Sequence, residues 1–312
     1  MSTEKIRLMF FGTPAFGAKL LAALFDAGFE ISAVVTQPTK KGGRGNRPVA
    51  SKVKEFADSK NLLVYQPTSQ SEIIGITKRI NPDLVVTGAY GKILPNEVLN
   101  IPRFGAINVH GSLLPKYRGA SPIPAAILNG DKKTGVTIMK MTDQLDSGPI
   151  ISQAEINLTQ EETTGTLYES LAIIGAEELV RIIPLYIDQV LHPKDQDHNK
   201  ATYCSAIRKQ DGLINWHRSA VDIERTVRAF IPWPHSYTYL DDKLLIILEA
   251  KPVEKALEPG YIVVLPNSFL VGCGTDSLEV TKLQLEGKNP VDARDFIHGY
   301  RNLDGKTLQK KS

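Results

Sequence analysis

Through the first half of the chain, apolar runs alternate with stretches of helical periodicity. Ile6 to Phe11 is an apolar, β-prone run that stops at Gly12-Thr13-Pro14, the pattern of a strand covered on both faces. Pro14 can open a helix at its first turn, and Phe16 to Leu24 repeats apolar residues at helical spacing. Further strands are predicted at Ile31 to Val35, Leu62 to Tyr65, Asp83 to Thr87, Ala106 to Val109 and Val136 to Met141. Strands alternating with helices predict an α/β fold, a Rossmann-like open and mostly parallel sheet. Such sheets bind ligands beyond the carboxyl ends of their strands. That rule points to Gly12-Thr13-Pro14, Gly88-Ala89-Tyr90, Asn108 to Pro115 and the loop after Met141.

The pattern changes in the second half. Glu161 to Val190 reads as one long helix in which Pro184 should cause a kink or break the hydrogen bonding. Residues 191–208 are polar and irregular and read as a linker. Beyond them, one helix (Ala220 to Phe230) precedes short β-prone runs at Tyr237 to Leu240, Leu244 to Leu248, Tyr261 to Leu265, Phe269 to Gly272 and Leu278 to Leu285. Closely spaced short strands predict a small barrel. The expected organisation is a catalytic domain over 1–190, a linker over 191–208 and a smaller β-barrel domain over 209–312.

A chain of 312 residues is long enough for one large and one smaller core. Hydrophobic residues at 42% and charged residues at 23% fit a packed globular protein. A net charge of +3 says little about partners, so any nucleic-acid contact must come from a local patch. Cys204 and Cys273 are too few and too far apart for a disulfide framework or a zinc site. The first residues lack the long apolar segment of a signal peptide, and no run approaches the roughly 20 apolar residues of a membrane span. The expectation is a cytoplasmic protein that needs no metal and does not bind a membrane.

The richest segment is GAINVHGSLLPKYRGASP, Gly105 to Pro122. Strand side chains alternate, so Asn108 and His110 share a face and Val109 points into the layer. A second cluster, MTDQLDSGPI, follows the next predicted strand and holds Asp146. A lone Asn-x-His is more often structural, and a single Asp in a turn is usually a cap. Together, however, the two clusters place an amide, an imidazole and a carboxylate where such a sheet holds its ligand.

Asn108-Val109-His110-Gly111-Ser112-Leu113-Leu114-Pro115, followed by Leu145-Asp146-Ser147-Gly148, resembles the 10-formyltetrahydrofolate-dependent formyltransferases. The resemblance implies Asn108, His110 and Asp146 as catalytic residues. It also implies a folate pocket lined by Ile93, Leu94, Ser112, Leu113, Leu114 and Pro115, with 10-formyltetrahydrofolate as co-substrate. The implied reaction is attack of a neutral amine on the formyl carbon through a tetrahedral intermediate. Asn108 and His110 would donate to the negative oxygen, and Asp146 would orient His110 and help move the proton. Ser112 has no nucleophile–base pairing, so direct transfer is expected instead of an acyl-enzyme.

The acceptor must be read elsewhere. From Thr39 to Lys54 the chain carries Lys40, Lys41, Arg44, Arg47, Lys52 and Lys54, no acidic residue, and a flexible Gly42-Gly43…Gly45 core. A solvated loop is the bland reading. The segment also resembles the inserted basic loop of the family's tRNA-directed members, as do AYGKILP (Ala89 to Pro95), TGVTIMKM (Thr134 to Met141), TTGTLY (Thr163 to Tyr168) and RAFIPWPHSY (Arg228 to Tyr237). That resemblance covers nearly the whole chain. It implies initiator methionyl-tRNA as acceptor, with Lys40, Lys41, Arg44 and Arg47 as tRNA contacts and Arg44 foremost. It further implies a monomer whose second domain is an oligonucleotide-binding-type barrel. The rivals are a formyltransferase acting on a sugar-nucleotide amine and a non-catalytic tRNA-binding protein. A dinucleotide-binding oxidoreductase is disfavoured, because GTPAFG at Gly12 to Gly17 lacks the G-x-G-x-x-G spacing.

Overall fold

The structure is a computed structural model that describes residues 6–42 and 47–308. The first part of the chain forms β1 (Arg7–Gly12), α1 (Ala15–Asp26), β2 (Glu30–Val35), β3 (Lys40–Gly42), β4 (Arg47–Val49), α2 (Lys52–Ser59), β5 (Val64–Tyr65), α3 (Gln70–Ile80), β6 (Leu84–Gly88), α4 (Asn96–Asn100) and β7 (Ala106–His110). It continues through β8 (Arg118–Gly119), α5 (Pro122–Leu128), β9 (Lys133–Lys140), β10 (Ile150–Asn157), α6 (Thr164–Ile187) and β11 (Tyr203–Cys204). The last part holds α7 (Ala220–Ala229), β12 (Ser236–Leu240), β13 (Lys243–Val253), β14 (Ile262–Val264), β15 (Phe269–Gly272), β16 (Ser277–Leu285), β17 (Val291–Asp292) and α8 (Ala293–Gly299).

Two compact units result. The first comprises residues 1–122, 133–157 and 168–204. Its seven-stranded sheet runs β10-β9-β7-β6-β1-β2-β5. The β1 strand lies between β6 and β2 and is apolar on both faces, with Leu8, Met9, Phe10 and Phe11 fully buried. Alternation sends Met9 and Phe11 into a core with Val85, Tyr90, Leu94 and Val98. Close packing at the end of β1 depends on glycine: a Cβ on Gly17 would lie 2.7 Å from the carbonyl oxygen of Gly88. On β7, Val109 faces α6, where Gly175 leaves room for its methyl group.

The sheet is mostly parallel, with one reversal. The β9 strand pairs antiparallel with β7 and with β10. The β10 strand was not expected from the sequence. The helix α6 continues past Pro184 to Ile187, so the proline sits in the last turn and removes one i→i−4 bond there without ending the helix. The basic segment contains a short antiparallel pair, β3 with β4, in register Lys40↔Val49 and Gly42↔Arg47. Its tip, with Arg44, lies outside the described residues.

The second unit comprises residues 123–132, 158–167 and 205–312. Its antiparallel sheet runs β12-β13-β16-β15-β14, with β17 added on β16. The pairing path has two ends, the partly open form of an oligonucleotide-binding-type barrel. Ser219 caps α7 by accepting from Asp222 N at 3.1 Å. The helix buries Ala220, Ile223 and Val227 in a core with Leu245, Ile247, Phe269 and Leu283. The segment 158–167 is tied in by the Thr164 hydroxyl, which donates to Ala229 O at 2.6 Å.

Residues 191–204, expected as part of a linker, are bonded into the first unit. Lys194 exchanges backbone hydrogen bonds with Ile150 at 2.7 and 2.8 Å. Arg118 N donates to Thr202 O at 2.8 Å, and β11 pairs parallel with β8. A polar sequence hid this strap because its bonds are made by main chain and amide groups, which leave no hydrophobic pattern.

Candidate active site

Asn108 and His110 stand at the end of β7 on the same face. Asn108 is half-buried and His110 is buried. The Thr87 hydroxyl, on β6, donates to Asn108 Oδ1 at 2.6 Å. That contact turns the amide, leaving Nδ2 as its donor. His110 Nε2 meets the Tyr117 carbonyl at 2.9 Å. A carbonyl only accepts, so Nε2 carries a proton. The other ring nitrogen, Nδ1, lies 3.8 Å from Asp146 Oδ2.

Asp146 reaches His110 by a route different from the expected one. Because β9 is antiparallel, its last residue, Lys140, pairs with Ile107 near the start of β7. The loop 141–149 therefore leaves from the wrong end for the carboxyl-end rule. It must run back past about three residues of β7, or about 10 Å, to bring Asp146 to His110. Asp146 makes this approach at φ +46°. Its Oδ2 accepts from Gly119 N at 2.8 Å. Gly119 is required there because a Cβ would run into the Cys204 carbonyl.

Two residues that sequence reasoning missed complete the arrangement. Gln196 Nε2 donates to Asp146 O at 2.9 Å and to Gly148 O at 2.8 Å. Arg118 donates to Gln196 Oε1 from Nε at 3.1 Å and from Nη2 at 2.7 Å. Arg118 lies inside the motif already singled out, but nothing in its pattern announces a buried guanidinium. Cys204 sits close by, its thiol donating to Arg118 O at 3.4 Å. Burial pushes that thiol up, and the Asp146 carboxylate adds to the effect, so it stays protonated and is a poor nucleophile.

The residues expected to line a folate pocket divide into two groups. Ser112 is fully buried and its hydroxyl donates to Lys116 O at 2.6 Å. Leu114 is buried, with its N–H bonded to Thr137 and its carbonyl to Gln153. Leu94 is buried in the core. All three side chains turn inward, and the Ser112–Leu114 segment is tied by bonds to Thr137 and Gln153. Leu113 and Pro115 are half-buried, and Ile93 is 76% exposed. Of the residues expected to contact tRNA, Lys40, Lys41 and Arg47 lie on the β3–β4 arms, where only the backbone is described, and Arg44 lies outside the described residues. Among the described residues no His, Cys, Asp and Glu cluster is arranged to hold a metal ion, and no helix is long and apolar enough to cross a membrane.

An amide donor, an imidazole and a carboxylate converge here, a set of groups suited to the charge and proton movements of acyl transfer. The formyl transferase family profile matches residues 4–183, and the profile of the formyl transferase C-terminal domain matches 206–301. The chain belongs to the formyl transferase family. It is 42% identical over 310 residues to the methionyl-tRNA formyltransferase of Dehalococcoides mccartyi strain CBDB1, covering 98% of this chain and 99% of the relative. It is 40% identical to the methionyl-tRNA formyltransferase of Pelotomaculum thermopropionicum, over 97% and 98% of the two chains. A crystal structure of an N-formyltransferase from Helicobacter canadensis, in complex with folinic acid and dTDP-3-aminofucose, has the same fold. Its TM-score is 0.67 at 19% identity, over 88% of this chain and 98% of that one.

Proposed function

We propose that the protein transfers the formyl group of 10-formyltetrahydrofolate to the α-amino group of methionine on initiator methionyl-tRNA, the step that prepares this tRNA for translation initiation. The observation that carries the reading is the joining of Asn108, His110 and Asp146 in a chain that matches methionyl-tRNA formyltransferases end to end. Asn108 Nδ2 donates to the oxygen that turns negative as the amine adds. Such a donor is worth about 2.7–4 kcal/mol in the barrier. His110 is held by Tyr117 and presents Nδ1 to the same space. Asp146 keeps Oδ2 on Gly119 N–H, and we assign its Oδ1 to the proton of the attacking amine, which passes to N10 of the folate as the C–N10 bond breaks. Ile93, Leu113 and Pro115 offer the apolar surface for the folate. The family relationship favours a monomer working in the cytoplasm.

Lys40, Lys41 and Arg47 flank Arg44 in the sequence, and this basic group takes the tRNA phosphates. The test is formylation of methionine-charged initiator tRNA with 10-formyltetrahydrofolate, comparing wild type with Arg44→Ala at rising salt. The expected result is formylation that requires charged tRNA, a raised KM for tRNA in the variant, and a shallower salt dependence. Folate binding without formylation of charged tRNA would redirect the acceptor to a sugar-nucleotide amine.

A further inference from the structure

Asp146 has a role in the proposed reaction; the groups that hold it have none assigned. Arg118 and Gln196 are 3% and 5% exposed. The Arg118 guanidinium meets Gln196 Oε1, His198 Nδ1 at 3.0 Å and the Tyr203 hydroxyl at 3.4 Å. A buried arginine held in this way is unusual, because arginine is seldom fully buried unless paired. Its effect on Gln196 is directional. A guanidinium only donates, so the amide oxygen of Gln196 must face it and Nε2 must face away. Both Nε2 hydrogens then go to the carbonyls of Asp146 and Gly148, across the turn that carries Asp146 at φ +46°. The residue after Arg118 supplies the N–H that holds Asp146 Oδ2. The main chain and side chain of Asp146 are thus fixed from one place.

We infer that Arg118 and Gln196 are positioning residues for Asp146: Arg118 sets the polarity of the Gln196 amide, and Gln196 sets the turn that aims the carboxylate at His110. The inference rests on the reading that Asp146 acts in formyl transfer. A purely structural role would let any acceptor for Arg118 replace Gln196; a positioning role requires the two donors.

Gln196→Glu separates the two. It keeps the length of the side chain and gives Arg118 a charged partner, so the fold is retained. It also sets an oxygen against two carbonyl oxygens, releasing the turn. Single-turnover and steady-state formylation would be measured for wild type, Gln196→Glu, Asp146→Asn and the double variant. The expected outcome is a loss in kcat of about 100-fold for Gln196→Glu, the scale of an ångström-level misplacement, with both KM values little changed. In the Asp146→Asn background the same substitution adds no further loss, because its effect passes through Asp146. Wild-type kcat in Gln196→Glu, or a loss that adds in full to that of Asp146→Asn, overturns the inference alone. Wild-type kcat in Asp146→Asn overturns the catalytic reading and the inference with it. Should Gln196→Glu not fold, Gln196→Met removes the same donors without adding charge and is judged by the same outcomes.

Discussion

The loops 89–95, after β6, and 141–149, after β9, both place a non-glycine residue in the left-handed region, Ala89 at φ +53° and Asp146 at +46°. That conformation costs on the order of 1–2 kcal/mol, and the two loops offset it differently. In the first, Tyr90 and Leu94 are buried, and the Tyr90 ring packs edge-on against Phe11 at 5.3 Å. Ile93, between these anchors, is left exposed. In the second, Leu145 is 58% exposed and the loop is held by directional bonds, from Gly119 N to the side chain of Asp146 and from Gln196 to its main chain. Burial is nondirectional and suits a loop that offers apolar surface. Hydrogen bonds set angles and suit a loop that aims a carboxylate.

The largest effects should come from the aimed groups. Asp146→Asn, Asn108→Ala and His110→Ala are each expected to lower kcat by about 100-fold or more while the unfolding midpoint stays near that of wild type. An Asp146 variant that lost stability and kept turnover would break the distinction. The buried anchor should behave in the opposite way. Leu94→Ala is expected to cost about 2–5 kcal/mol in denaturant unfolding, and its exposed neighbour Ile93→Ala less than about 0.5 kcal/mol. Only the latter is then a clean probe of folate KM, which should rise. The smallest effect concerns the Tyr90 hydroxyl, which is buried and has no hydrogen-bond partner among the described residues. Tyr90→Phe should leave stability unchanged or raise it by about 1 kcal/mol, since nothing offsets the desolvation of that group. A loss would show that the hydroxyl is bonded in solution.

Much of the first loop could be read in the sequence, and little of the second. The run around Phe10 and Phe11 and the helical spacing after it declare a covered strand and its helix through apolar residues alone. The β10 strand escaped because IISQAEIN alternates polar and apolar at a sheet edge and lacks the continuous run of an inner strand. The direction of β9 is a pairing property that no local pattern records, so the carboxyl-end rule pointed to the right loop for the wrong reason. Asn108, His110 and Asp146 were legible through motif. Gln196 was not: it sits in a polar run, and its partner is 50 residues away. A side chain whose work is to orient a main-chain carbonyl needs no particular neighbours in sequence.

The strap that carries Gln196 falls in the gap between the two family profiles, after 183 and before 206. This bears on how the enzyme can be divided or recombined. A fragment ending after residue 190, where helical periodicity stops, would retain Asn108, His110 and Asp146 and lose Lys194, Gln196 and β11. It would keep the proposed reacting groups and lose the Gln196 bonds to the turn that carries Asp146. Chimaeras between relatives face the same boundary: a junction after Cys204 keeps the strap with the Arg118 it grew up beside, whereas one at the end of α6 pairs a native guanidinium with a foreign amide.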